Sequence, residues 1–130
     1  MAGRLVYFEL PADDTQRAED FYAELFGWQF RPVQEGFDYH MLDEDADPGG
    51  AIYPSQTGEK GAIIYFESDD VDATIERVNE LGGSAEDKQA IPGTGWYARC
   101  EDTEGNQFSI FQSDDSVPIP AESQSREDSN

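Results

Sequence analysis

Two short runs, Tyr7-Phe8-Glu9 and Tyr65-Phe66-Glu67, repeat one arrangement of phenol, ring and acid, and their glutamates are the side chains best placed for chemistry. In a strand, residues two apart share a face, so each run sets a tyrosine beside a carboxylate. An acid desolvated among Tyr and Ile walls suits the work of a general base near neutral pH, which makes Glu9 and Glu67 the catalytic candidates. The plainer reading is a solvated acid at a pocket mouth, or one paired with Arg99. His40 is the only histidine, lying in Asp38-Tyr39-His40-Met41-Leu42. One imidazole makes no metal site, and a packed or surface histidine is expected. Trp96 follows Pro92-Gly93-Thr94-Gly95 and could stack on a flat ligand or cap a core. Cys100 is expected to be a buried strand residue rather than a thiolate, and a single cysteine closes no internal disulfide.

The elements that must position these residues follow from periodicity. Arg4 to Leu10 reads as a strand ending at Pro11. Asp13 and Asp14 offer helix caps, and Ala18, Phe21, Tyr22, Leu25 and Phe26 recur at helical steps as a core face up to Gly27. Trp28 to Pro32, Phe37 to Leu42 and Ala51 to Tyr53 read as strands. The order then restarts with a strand from Ala62 to Glu67, caps at Asp69-Asp70, and a helical stripe of Val71, Ile75, Val78 and Leu81 ending at Gly82-Gly83. Strands over Glu86 to Ile91, Trp96 to Cys100 and Gln107 to Phe111 complete it. The expected fold class is therefore α+β, two βαβββ modules over residues 4–54 and 62–112 of a domain spanning 1–112. The polar, acidic segment 113–130 is expected to be a disordered or loosely docked tail.

Composition narrows the function classes. The chain has 29 acidic and 8 basic residues in 130, a net charge of −21, with Lys60 and Lys88 its only lysines. Such a surface repels phosphate backbones and anionic membrane faces, so neither nucleic acid nor membrane is an expected partner. Its self-repulsion is relieved by molar salt, where the Debye length is about 3 Å, which points to a salt-rich cytoplasm. No run of eighteen apolar residues and no secretory leader pattern is present, so a soluble, cytoplasmic protein is expected.

Taken in order, Phe8-Glu9-Leu10-Pro11-Ala12-Asp13-Asp14, Arg17-Ala18 and Phe21-Tyr22-x-x-Leu25-Phe26-Gly27-Trp28 resemble the opening of vicinal-oxygen-chelate proteins, the superfamily of glyoxalase I, bleomycin-resistance proteins and extradiol dioxygenases. Asp70-Val71-Asp72-Ala73, Leu81-Gly82-Gly83, Ile91-Pro92-Gly93-x-Gly95 and Asp102-x-x-Gly105-Asn106 extend the resemblance over about residues 4 to 112. It implies paired modules whose sheets form a cup, often completed by homodimerisation; the acidic composition adds the expectation of a halophile as the source. Catalytic members hold a divalent metal with His and Glu side chains. Here those positions fall on Tyr7, on Ile63, near Tyr53 or Pro54, and on Ser109, so no metal ligands and no cofactor are expected. The implied cup is aromatic and partly acidic, with Tyr7, Tyr53, Ile63, Tyr65, Trp96, Ser109 and Phe111 as ligand-binding candidates. The leading expectation is a small-molecule binder of the bleomycin-resistance type, acting as a homodimer. The alternatives are a lyase or isomerase resembling glyoxalase that uses a divalent metal ion with Glu9, Glu67 or His40, and a non-catalytic dimeric interaction module.

Overall fold

Paired aspartates start both helices of the computed structural model, which describes residues 2–119. The Asp14 side chain accepts from the Arg17 N–H at the head of α1 (Thr15–Phe26), and Asp70 accepts from the Ala73 N–H at the head of α2 (Val71–Glu80). Each thereby satisfies an amide that has no partner within its helix. Gly27 ends α1 in the left-handed conformation at φ 75°, which a side chain would resist. The strands are β1 (Leu5–Ala12), β2 (Phe30–Pro32), β3 (His40–Leu42), β4 (Gly49–Pro54), β5 (Ile63–Glu67), β6 (Ser84–Ala85), β7 (Gln89–Ile91), β8 (Gly95–Glu101) and β9 (Gln107–Ser113).

The described residues fall into two compact units, one of residues 4–66 and the other starting at Glu67 and including Ala2 and Gly3. In the first unit the strand order is β2-β3-β4-β1-β5. β1 runs parallel to β4 and antiparallel to β5, so it is paired along both sides. β5, which the sequence grouping sets at the head of the second module, thus completes the sheet of residues 4–66. Phe8 meets Trp28 at 6.1 Å, and Trp28 stacks on Tyr22 of α1 at 5.2 Å, so the Phe8 face of β1 is the helix side. Tyr7 and Glu9 project from the opposite face. Both aromatic rings of β1 crowd β4: a Cβ on Gly50 would meet the Phe8 ring at 2.6 Å, and one on Gly49 would lie 3.1 Å from Tyr7.

The half-buried stripe of α1 consists of Ala18, Glu19, Tyr22 and Ala23, with Thr15 fully buried at its start. This rotates the core face expected from the sequence, because Phe21 and Phe26 are each 58% exposed and Leu25 is 56% exposed. Glu19 takes an inward position because it has a polar partner there, His40. The strand expected from Trp28 begins only at Phe30, since Trp28 turns back into the aromatic cluster with Tyr22 and Phe26.

In the second unit β8 pairs with β9 on one side and with β6 and β7 on the other. α2 covers one face, packing Val71, Ile75 and Val78 against Ala98, Cys100 and Ile110. β6, two residues without a strand-like pattern, is an addition to the expected order. Residues 114–119, assigned to the tail from their composition, instead fold back onto this unit. The Asp114 N–H donates to the Thr94 carbonyl at 2.8 Å, the Gly93 N–H donates to the Val117 carbonyl at 2.9 Å, and Val117 is buried. Burial of one apolar side chain and satisfaction of two turn amides outweigh the polar character of the segment. The rest of the expected tail, 120–130, lies outside the described residues.

Candidate functional site

On the open face of β1, Glu9 is the centre of a phenol network. Tyr39 donates to Glu9 Oε2 at 2.6 Å and Tyr65 donates to Glu9 Oε1 at 2.8 Å. Tyr7 and Tyr39 hydroxyls lie 2.8 Å apart, and because Tyr39 spends its one proton on Glu9, Tyr7 must be the donor in that pair. The register places Tyr7 opposite Tyr65 and Glu9 opposite Ile63, and the Tyr7 and Tyr65 rings meet edge to face at 5.6 Å. Four sequence candidates, Tyr7, Glu9, Ile63 and Tyr65, are therefore brought together on one face. Burial first, then the Glu9 charge and the bond donated to Glu9, hold the Tyr39 hydroxyl well above the ordinary phenol range. Burial also raises Tyr7. These phenols are fixed as neutral donors.

Tyr39 was not foreseen as a site residue. It lies in the stretch Phe37 to Leu42 expected as a strand, but β3 begins only at His40, so alternation did not fix its face and the folded loop brings it to Glu9. Its ring stacks on Phe37 at 5.6 Å and 10°, and both line a cavity of about 570 Å³ between α1, β2 and the loop before β3. Phe30, Arg31, Glu19 and His40 add to its wall. His40 is a packed imidazole, its Nδ1 2.5 Å from Glu19 Oε1 and its Nε2 2.9 Å from Asp38 Oδ1. Asp38 also accepts from the Thr15 hydroxyl at 2.8 Å. Burial alone would lower the His40 pKa, but bonds to and the charges of Glu19 and Asp38 outweigh it and the net shift is upward. With both ring nitrogens facing carboxylates, the setting of His40 favours the doubly protonated imidazole.

The remaining candidates are placed as follows. Tyr53 lies opposite Pro11 in the β1–β4 register. In the second unit, Glu67 accepts from the Gly3 N–H through its backbone carbonyl. Ser109 pairs with Arg99 and Phe111 with Tyr97 across β8 and β9. Ser109 is 1% exposed and its hydroxyl has no hydrogen-bond partner among the described residues. Trp96 packs against the α2 core, its Nε1 donates to Asp114 at 3.3 Å, and Lys88 Nζ lies 4.5 Å over its ring. Burial and Glu86 push the Cys100 thiol up to about 11.

The positions implied for a divalent metal hold a phenol bound to another phenol, an isoleucine and a serine. That donor set does not fit zinc, nickel or magnesium, which need converging imidazole, thiolate, carboxylate or carbonyl groups. Among the described residues no three His, Cys, Asp or Glu side chains are grouped to hold a metal. No helix among them is long and apolar enough to cross a membrane.

Comparison with known proteins adds an independent line. A family profile described as a glyoxalase-like domain matches residues 6–111. A glyoxylase-like domain-containing protein of Didymella fabae is 31% identical over 118 residues, covering 83% of this chain and 92% of that protein. The anthracycline biosynthesis protein DnrV of Streptomyces peucetius is 28% identical over 131 residues, covering 92% of this chain but 45% of that protein, so the chain spans about half of that relative's length. Among solved structures, a glyoxalase/bleomycin resistance protein/dioxygenase superfamily member from Vibrio splendidus superposes with a TM-score of 0.66 at 16% identity, over 85% of this chain and 99% of that one.

Proposed function

This chain belongs to the glyoxalase-like domain family, within the vicinal-oxygen-chelate superfamily, and from that premise we propose that it binds a small organic molecule without a metal ion. The observation that carries the reading is the engagement of Glu9. Both its oxygens accept from phenols, which occupies two of the carboxylate's roughly four lone-pair sites and ties it into the network, so it is a poorer ligand for a cation than a free carboxylate. Beside it, a cavity of about 570 Å³ falls inside the range of about 300–1,000 Å³ that suits small-molecule sites. Its Phe30, Phe37 and Tyr39 rings favour a guest with a flat apolar body. The name of one relative, an anthracycline biosynthesis protein, is in keeping with an aromatic guest.

The test is metal analysis of the full chain purified in molar KCl, with thermal unfolding before and after chelation. Far less than one equivalent of any divalent ion and an unchanged unfolding midpoint are expected. A stoichiometric ion that is lost in Glu9→Gln would overturn the proposal.

A second reading, self-association, is favoured by one observation. Phe21, Leu25 and Phe26 form an exposed apolar shoulder on α1, more than a highly charged monomer ordinarily leaves in water. Light scattering in molar KCl is expected to report twice the monomer mass, and Phe21→Ser with Phe26→Ser to return the monomer. A monomeric wild type would remove this reading and leave the first intact.

A further inference from the structure

Cations are scarce in this chain, and most are already spoken for. Arg4, Arg17, Lys60, Arg77 and Lys88 each lie within 4.0 Å of a carboxylate. Arg31 is an exception. Among the described residues its guanidinium makes no hydrogen bond or ion pair, although 29 acidic residues are available to the chain. It stands on the wall of the 570 Å³ cavity, on β2 beside Phe30.

Two further features of that cavity bear on what Arg31 could receive. Phe37 remains 53% exposed although Tyr39 stacks on it, so one face of the ring is open to a guest. The other charged groups of the wall are Glu19 and Asp38, with His40 held between them. His40 engages Glu19 and Asp38, which leaves Arg31 as the charged group of the wall with no partner among the described residues. A guest with one negative charge can then be matched by Arg31, whereas a second negative charge would meet Glu19 and Asp38. A positively charged guest would face an unpaired guanidinium.

We propose that the ligand of this pocket is a planar aromatic carboxylate, its acid group bound by the Arg31 fork and its ring laid on Phe37. The inference rests on the reading that the pocket binds an organic molecule, and it adds the chemical class. A carboxylate offers two oxygens to the parallel N–H donors of a guanidinium, a geometry that lysine cannot reproduce. Arg31 is surface-exposed and its side chain makes no hydrogen bond or ion pair among the described residues, so Arg31→Gln is expected to leave the other pocket walls in place.

Four probes of one shape separate the possibilities: 2-naphthoate, 2-naphthamide, 2-naphthylmethylammonium and 2-naphthyl phosphate, titrated by calorimetry against the full chain in 1 M KCl. Binding of 2-naphthoate about tenfold tighter than the amide and the ammonium is expected, with that preference lost in Arg31→Gln and partly kept in Arg31→Lys. Phe37→Ala is expected to weaken all the probes that bind, because it acts on the ring and not on the charge. Tighter binding of the phosphate would overturn the single-charge argument. Equal or tighter binding of the amide or ammonium, unaffected by Arg31→Gln but weakened by Phe37→Ala, would overturn the carboxylate and leave the pocket reading standing. Failure of all four to bind would count against both.

Discussion

Replacing Tyr39 by phenylalanine removes one oxygen and two hydrogen bonds, those to Glu9 Oε2 at 2.6 Å and to Tyr7 at 2.8 Å. A hydrogen bond to a charged group is worth about 1.5–3 kcal/mol and a neutral one about 1 kcal/mol. Tyr7 is only half buried and can turn its hydroxyl toward water, so little of the second bond is lost in full. The expected cost is therefore about 2–3 kcal/mol. For a chain of this length each kcal/mol moves the unfolding midpoint by about 4 °C, giving a drop of about 8–12 °C. Tyr65→Phe removes the bond to Glu9 Oε1 and is expected to cost about 2 kcal/mol. Removing both hydroxyls leaves the half-buried Glu9 with neither donor, and the double variant should lose more than the sum of the two, by about 0.5–3 kcal/mol. Urea titrations at a fixed, molar KCl concentration, followed by fluorescence and circular dichroism together, measure all three terms. A Tyr39→Phe protein within about 0.5 kcal/mol of wild type would refute the claim that Glu9 is held by its phenols.

Other consequences can be checked directly. The folded pKa of His40 lies above the ordinary value of about 6.5, so its contribution to stability is full below that value and is lost as pH rises through the elevated folded one. Stability should fall over this alkaline side in wild type and flatten in His40→Gln, and proton NMR of the only histidine should show the raised midpoint. A midpoint at or below 6.5 would contradict the two-carboxylate setting. Gly95→Ala would set a Cβ 2.1 Å from the Gln112 carbonyl, which is backbone and cannot turn away, so a loss of about 3 kcal/mol is expected in urea unfolding. An unchanged urea midpoint would show that β8 and β9 are not so close. Cys100, buried and with its pKa pushed up to about 11, should react with a disulfide reagent at pH 8 only as fast as the chain unfolds.

The parts of this molecule that could be read from sequence are those with a local cause. Asp14 and Asp70 cap because a carboxylate meets bare amides within three residues, and Gly27 stops α1 because the required backbone angle is local as well. The Tyr7, Glu9, Ile63 and Tyr65 grouping was legible because strand alternation fixes faces once the strands are known. Tyr39 was not, since the strand expected from Phe37 starts only at His40 and its bond to Glu9 spans thirty residues of sequence. The orientation of α1 was misread for a related reason. Hydrophobicity ranks Phe21 and Phe26 as inward, whereas a charged pair, Glu19 with His40, turns the helix by roughly one position. Val117 likewise gave too weak an apolar signal to announce that the chain folds back over Gly93.

The double pairing of β1 bears on how this polypeptide can be divided. Trimming after residue 54, where the repeat pattern invites a cut, would strip β5 away and leave one flank of β1 a bare row of amides and carbonyls. Such a rim recruits whatever extended backbone it meets, and the nearest supply is an identical fragment. Amputated copies should therefore clump by strand addition at β1, whereas a piece running to residue 66 keeps β1 paired along both sides.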